Sequence, residues 1–298
     1  MYNGIINVYK EKGYTSHDVV AKLRGILKQK KIGHTGTLDP QAEGVLPVCL
    51  GMGTKLCDML TDKDKEYEAL LLLGVSTDTQ DTTGAILKEL PVDVSEEEVR
   101  EAILSYIGEY DQIPPMYSAI KVDGKKLYEL AREGKEIERK ARRVRILSIE
   151  ILSVELPRVR MRVECSKGTY IRTLCHDIGE KLGCGGCMEE LLRTRVSRFT
   201  AKEALTLARI EELRDEGKLA ERIVSVEEAL EAYPPCAMKP EADKLIYNGN
   251  PFCEDMTAEK PQKDTPVRVY DSKKSFVGIY EYKPEKKAFY PLKMFLES

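Results

Sequence analysis

Apolar positions recur along this chain with two periods, and the changes of period divide it into elements. After Ser16, a candidate N-cap, Val19, Val20, Leu23, Ile26 and Leu27 follow at helical spacing. Ser95 and Glu98 form a capping-box pattern ahead of Val99, Ile103, Tyr106 and Ile107, with Gly108 as the expected stop. A third helix is predicted over residues 170–182, with Ile171, Leu174, Cys175, Ile178 and Leu182 on one face and Gly183 behind them. Between these helices the period falls to two. Residues 67–73 form a short apolar run ending at Gly74, and residues 144–154 are rich in β-branched side chains. Val159, Met161, Val163 and Cys165 alternate with Arg158, Arg160, Arg162 and Glu164, as in a strand with one buried face. The arginine face is free to meet phosphates or only solvent. Strands and helices mixed without strict alternation predict an α+β fold, with a largely antiparallel sheet flanked by helices.

The pattern changes near Tyr233, Pro234 and Pro235, which mark a domain boundary: 1–235 and 236–298. Beyond it, residues 254–266 are polar and punctuated by proline. Residues 267–270 and 276–280 read as the strands of a hairpin, and residues 290–295 as a last strand. This second unit is small and β-rich.

Composition narrows the function classes. The chain has 298 residues and a formal net charge of −3, so it is not a uniformly basic nucleic-acid binder. Basic residues cluster locally all the same: Lys28, Lys30 and Lys31, and then Arg139, Lys140, Arg142, Arg143 and Arg145. No apolar run reaches the roughly 18 residues of a membrane span, and the first residues do not resemble a secretory signal. A cytoplasmic protein is expected. The eight cysteines are then expected to be reduced. Cys184 and Cys187 have the spacing of half a zinc site, without a second pair to complete it, so no metal is expected. Neither a Walker A loop, a Gly-x-Gly-x-x-Gly turn between strand and helix, a His-Glu-x-x-His helix nor a Gly-x-Ser-x-Gly elbow is present.

Residues 33–47 (Gly-His-Thr-Gly-Thr-Leu-Asp-Pro-Gln-Ala-Glu-Gly-Val-Leu-Pro) carry the strongest signal. Glycines and prolines exclude a regular helix, and Asp39 precedes a proline, which favours an extended or turn geometry. The string resembles the catalytic loop of the TruB family of tRNA pseudouridine-55 synthases. The resemblance extends, in order, through residues 51–55 (Gly-Met-Gly-Thr-Lys), Lys65-Glu66-Tyr67, residues 165–174 (Cys-Ser-Lys-Gly-Thr-Tyr-Ile-Arg-Thr-Leu) and residues 191–196 (Leu-Leu-Arg-Thr-Arg-Val). It covers roughly residues 1–200. The tail is similar, with weaker motif support, to the family's PUA-like RNA-binding domain.

The resemblance implies the pseudouridine synthase fold and a cofactor-independent isomerase acting on uridine 55 in the TΨC stem-loop of tRNA. It makes Asp39 the catalytic nucleophile or base. It places Arg172 beside Asp39, keeping it ionised. It sets the ring of Tyr67 against the base, Tyr170 and Leu191 in the pocket, and His34 as a wedge or stacking partner for a flipped nucleotide. The basic clusters would hold the RNA backbone. No protein partner is implied, and a monomer is expected. Two rivals stand beside this reading. One is a non-catalytic tRNA-binding or RNA-folding protein. The other is a glycoside hydrolase using Asp39 and Glu43, although nothing in the sequence sets these two across one sugar bond.

Overall fold

The structure is a computed structural model that describes residues 1–61, 63–122 and 124–296. In chain order its elements are β1 (Gly4–Lys10), α1 (Ser16–Leu27), β2 (Ile32–His34), β3 (Glu43–Leu50), α2 (Cys57–Thr61), β4 (Lys65–Leu73), β5 (Val75–Thr77), β6 (Ile86–Glu89) and α3 (Glu96–Leu104). Then come β7 (Gly108–Gln112), β8 (Lys121–Val122), β9 (Lys125–Lys126), α4 (Leu127–Arg132), β10 (Arg142–Glu155), β11 (Arg158–Cys165), α5 (Ile171–Lys181), β12 (Gly186–Val196) and β13 (Phe199–Thr200). The chain ends with α6 (Leu207–Asp215), β14 (Ile223–Val224), α7 (Val226–Ala229), β15 (Pro235–Ala237), α8 (Asp243–Tyr247), β16 (Val267–Tyr270), β17 (Phe276–Lys283) and β18 (Ala288–Met294).

The fold is α+β, as the alternation predicted. A ten-stranded sheet runs β14-β1-β3-β12-β4-β11-β10-β7, with β2 beside β3 and β13 beside β12. Every pairing in it is antiparallel except β3 with β12, which meet in parallel only at Glu43/Leu192 and Gly44/Arg193. A Cβ on Gly44 would lie 2.2 Å from the Arg193 carbonyl oxygen, and its φ is +105°, so glycine is required where the two strands converge. The buried faces of β4 and β11 carry Tyr67, Ala69, Leu71, Leu73, Val159, Met161, Val163 and Cys165, and α3 and α5 cover them. Helices α1 and α6 cover β1 and β3 through Val19, Val20, Leu23, Ile210 and Leu213.

The arginine face of β11 is neutralised across the strands. Arg158 bonds Glu189, Arg160 bonds Glu190, and Arg162 bonds both Glu68 and Glu150. The sequence left phosphates or solvent open to these arginines, and carboxylates of the same sheet face pair with them instead.

Two predicted helix ends shift. The N-cap of α1 is Thr15, in a capping box with Asp18, because the Ser16 hydroxyl faces the other way and accepts the Leu38 N–H. Helix α3 ends at Leu104, and Gly108 instead opens β7 at φ +111°.

Residues from Pro235 onward form a separate four-stranded sheet, β15-β16-β17-β18, with its own core around Phe252, Val269, Tyr280 and Phe289. Ile279 and Phe295 of this sheet pack on Ile5, Val45, Cys49, Leu56 and Leu60 of the first. Lys55 donates to the Met294 carbonyl at 2.7 Å, and Lys293 returns a bond to the Lys55 carbonyl at 2.6 Å.

Candidate active site

The loop that joins β2 to β3 is fastened along its whole length, mostly by groups distant in sequence. Its Thr35 N–H and hydroxyl both donate to the Pro47 carbonyl, each at 3.2 Å. Leu38 N–H donates to Ser16 Oγ at 2.9 Å, and Pro40 accepts from Gly13 N–H at 2.8 Å. Two buried cations complete the clamp. Lys10, at the end of β1 and 0% exposed, donates to the carbonyls of Ala42, Pro40 and Glu11. Arg193 of β12, 1% exposed, donates to Val45 at 2.7 Å, Gly36 at 3.3 Å and Thr37 at 3.4 Å. Main-chain carbonyls normally satisfied by a helix or sheet are satisfied here by charged side chains.

Asp39 stands out of this loop as a turn residue whose carbonyl accepts Ala42 N–H at 3.1 Å. Its carboxylate meets Arg172 in a two-point contact, Nε to Oδ2 at 3.0 Å and Nη2 to Oδ1 at 3.4 Å. The arginine side chain is only 7% exposed and the aspartate 40%, so the pair has a closed side and an open side. Arg172 is fixed further by the carbonyls of Tyr117 (2.9 Å) and Thr79 (3.1 Å) and by Asp81 Oδ2 (3.4 Å). Burial pushes the Asp39 carboxyl above its ordinary range. Arg172 is the largest influence pulling it back; Asp81 adds to the rise, and Lys10 and Arg193 oppose it. Arg172 thus favours the charged form, and desolvation opposes it more strongly.

Of the other predicted residues, Tyr67 and Tyr170 are near enough to Asp39 to feel its charge. Tyr67 on β4 is buried and pairs in register with Arg193, and burial raises its hydroxyl. Leu191, two residues from Arg193 on β12 and opposite Ala69, is half-buried against the same core as Tyr67 and Leu38. Tyr170 precedes the first residue of α5. Its hydroxyl is raised by burial, with the Ser118 hydroxyl, Arg142 and Arg172 opposing. His34 ends β2 edge-on to the His17 ring, at 5.4 Å between centroids. Burial and then His17 lower its basicity, so the neutral imidazole is favoured.

The basic cluster at residues 139–145 divides. Arg139 donates to the Pro114 carbonyl and to Glu136, which ties it to the loop that carries Tyr117. Arg143 is paired with Asp111. Lys140, Arg142 and Arg145 are exposed, as are Lys28, Lys30 and Lys31. The Cys184 and Cys187 thiols are buried and free. Among the described residues no group of three or more His, Cys, Asp or Glu is arranged to hold a metal ion. No helix there is long and apolar enough to cross a membrane.

Lys10, Asp81 and Gln112 carry no signal among the family motifs, and in the segment that holds Leu191 the buried charged residue is Arg193. Strand parity was the available signal. Lys10 shares its face of β1 with Ile6 and Val8, and Arg193 shares its face of β12 with Leu191.

Known proteins match this chain over its full length. The N-terminal domain of the TruB family pseudouridylate synthases matches residues 24–171, and the C-terminal domain of tRNA pseudouridylate synthase B matches residues 172–231. The two matches meet at the start of α5, between β11 and β12 of the large sheet. The tRNA pseudouridine synthase B of Lachnoclostridium phytofermentans is 58% identical over 99% of this chain and 100% of its own length. That of Clostridium acetobutylicum is 46% identical over 93% of this chain and 94% of its own. Among solved structures, a Cbf5-Nop10-Gar1 complex matches with a TM-score of 0.75 at 29% identity, over 98% of this chain and 85% of that one. An H/ACA ribonucleoprotein bound to a substrate RNA containing 2'-deoxyuridine matches at 0.74 and 27%, over 99% and 85%. With an aspartate loop and a buried arginine set in this sheet, and relatives of this identity over their whole length, the chain belongs to the TruB family of pseudouridylate synthases.

Proposed function

We propose that this protein converts uridine 55 in the TΨC loop of tRNA to pseudouridine, with Asp39 as its catalytic residue. The observation that carries the reading is the Asp39–Arg172 contact, at 3.0 Å, on a loop held by two buried cations. The reaction breaks the N1–C1′ bond of uridine, forms C5–C1′, and moves the C5 proton to solvent while N1 gains one. Reactant and product are isomers, so no cofactor, metal or phosphate donor is consumed. A carboxylate open to the cleft can attack C1′ or take a proton from the sugar, and either role requires its ionised form. Arg172 fixes its direction.

Tyr67 stacks on the detached base, and Tyr170 and Leu191 line the pocket. The neutral His34 ring takes the place of the extruded base. Lys28, Lys30, Lys31, Lys140, Arg142 and Arg145 hold the backbone. The division into 1–235 and 236–298, with the second sheet acting as a PUA-like RNA-binding unit, belongs to the same reading. So do a monomeric state and a cytoplasmic location. A non-catalytic tRNA-folding protein would use the same surfaces without needing the Asp39–Arg172 pair.

The test is incubation of an unmodified tRNA transcript with the pure protein, followed by chemical mapping of pseudouridine. One pseudouridine at position 55 is expected. A transcript left unmodified, or modified elsewhere, removes the assignment.

A further inference from the structure

Helix α5 carries Arg172 in its first turn, yet it lacks a cap of its own. Tyr170 stands at the N-cap position and contributes no side-chain capping bond. In a capping box the N-cap N–H is taken by the third helical residue. Here that residue, Thr173, donates its hydroxyl to Gln80 at 2.7 Å instead.

The missing partner comes from the edge strand β7. Gln112 Oε1 accepts the Tyr170 N–H at 2.7 Å, and Gln112 Nε2 donates to the Tyr170 carbonyl at 2.9 Å. Both ends of one amide close on both polar groups of one residue. Gln112 is 1% exposed, so losing those bonds leaves buried polar groups that water does not readily satisfy. A second tether joins the same strand and helix further along, where Tyr110 bonds the Asp177 carboxylate.

We propose that Gln112 is a positioning residue for pseudouridine formation: by capping α5 from β7 it fixes Tyr170 and the direction of Arg172 toward Asp39. The inference rests on the reading that Asp39 and Arg172 form the reactive pair. It assigns Gln112 no contact with the substrate.

The test uses the full-length protein with Gln112→Met, which keeps the volume and removes both bonds. Single-turnover rates on saturating unmodified tRNA, tRNA affinity, melting temperature and the pH–rate profile are measured. The expected result is a rate lowered by about tenfold or more, as for a group displaced by a fraction of an ångström, with affinity within about threefold. The acid limb should move to higher pH, because Arg172 is the largest charge favouring ionised Asp39. Asp81, Lys10 and Arg193, the other charges facing Asp39, are untouched.

Tyr110→Phe is the control. It removes the second tether, so it should lower the melting temperature and leave both rate and limb in place. If Gln112→Met does not fold, Gln112→Asn carries the test. It keeps the amide one methylene short of Tyr170 and adds no charge, and a lowered rate with an upward limb is again expected. A rate within twofold of wild type, or a lowered rate with an unmoved limb, overturns the proposal. Asp39→Asn in the same assay separates the two ideas. Turnover in Asp39→Asn defeats the reading of the reactive pair, whereas an inactive Asp39→Asn beside a normal Gln112→Met defeats only the role of Gln112.

Discussion

Asp39 sits between two opposed influences, burial raising its pKa and Arg172 lowering it, and burial is the larger. In the role proposed for Asp39 the carboxylate is the active form, so activity should fall as pH drops through a pKa above the ordinary aspartate value of about 3.9. Replacing Arg172 with Gln takes away the main charge favouring ionisation and should move that limb to higher pH. A limb at or below the ordinary value, or one that Arg172→Gln leaves in place, contradicts this balance. Lys10 supplies a test through stability. Burial lowers its pKa to about 8, against about 10.4 in an unfolded chain. Between those values the unfolded chain binds more protons, so the contribution of Lys10 to stability rises with pH across that window and is constant below it. Wild type should therefore gain stability relative to Lys10→Met from pH 8 to 10, measured by chemical denaturation. A relative loss, or no change, would show that burial does not lower the Lys10 pKa.

At the scale of elements, two basic surfaces that look alike in sequence differ in the fold. The arginines of β11 pair with carboxylates of the same sheet face, Arg158 and Arg160 reaching across β4 to Glu189 and Glu190 of β12, whereas Lys140, just before β10, and Arg142 and Arg145, at its start, are exposed and make no ion pair among the described residues. Each phosphate neutralised adds roughly 0.7–0.9 to the salt slope of RNA affinity. Replacing Lys140, Arg142 and Arg145 with Ala should flatten the slope and weaken binding, while Arg160→Ala leaves both near wild type. Equal slopes for the two variants would remove the distinction.

The strands themselves were legible because a half-buried strand imprints period two: residues 158–165 alternate, and β11 has those limits. The aspartate loop was legible through its family motif. What escaped were side chains whose partners are backbone groups far away in the chain. Ser16 read as a cap because its bond to Leu38 is invisible locally. In the sequence Arg193 stands only as part of its motif, and Lys10 and Gln112 have no assigned role, because the carbonyls and N–H groups that all three satisfy belong to other elements.

Across the whole molecule, the large sheet brings residues 10, 39, 172 and 193 together from β1, the β2–β3 loop, α5 and β12. The second sheet is fixed to it by Ile279, Phe295 and the reciprocal Lys55 and Lys293 bonds. RNA held by the second sheet would thus lie at a set distance from Asp39. Asp39→Asn is nearly isosteric and retains a donor and an acceptor, so the fold and the tRNA surface should persist. The decisive measurement is pseudouridine formed in unmodified tRNA by the Asp39→Asn protein, read together with its affinity for that tRNA. The account predicts no pseudouridine with affinity within a few-fold of wild type. Turnover retained in Asp39→Asn would contradict it.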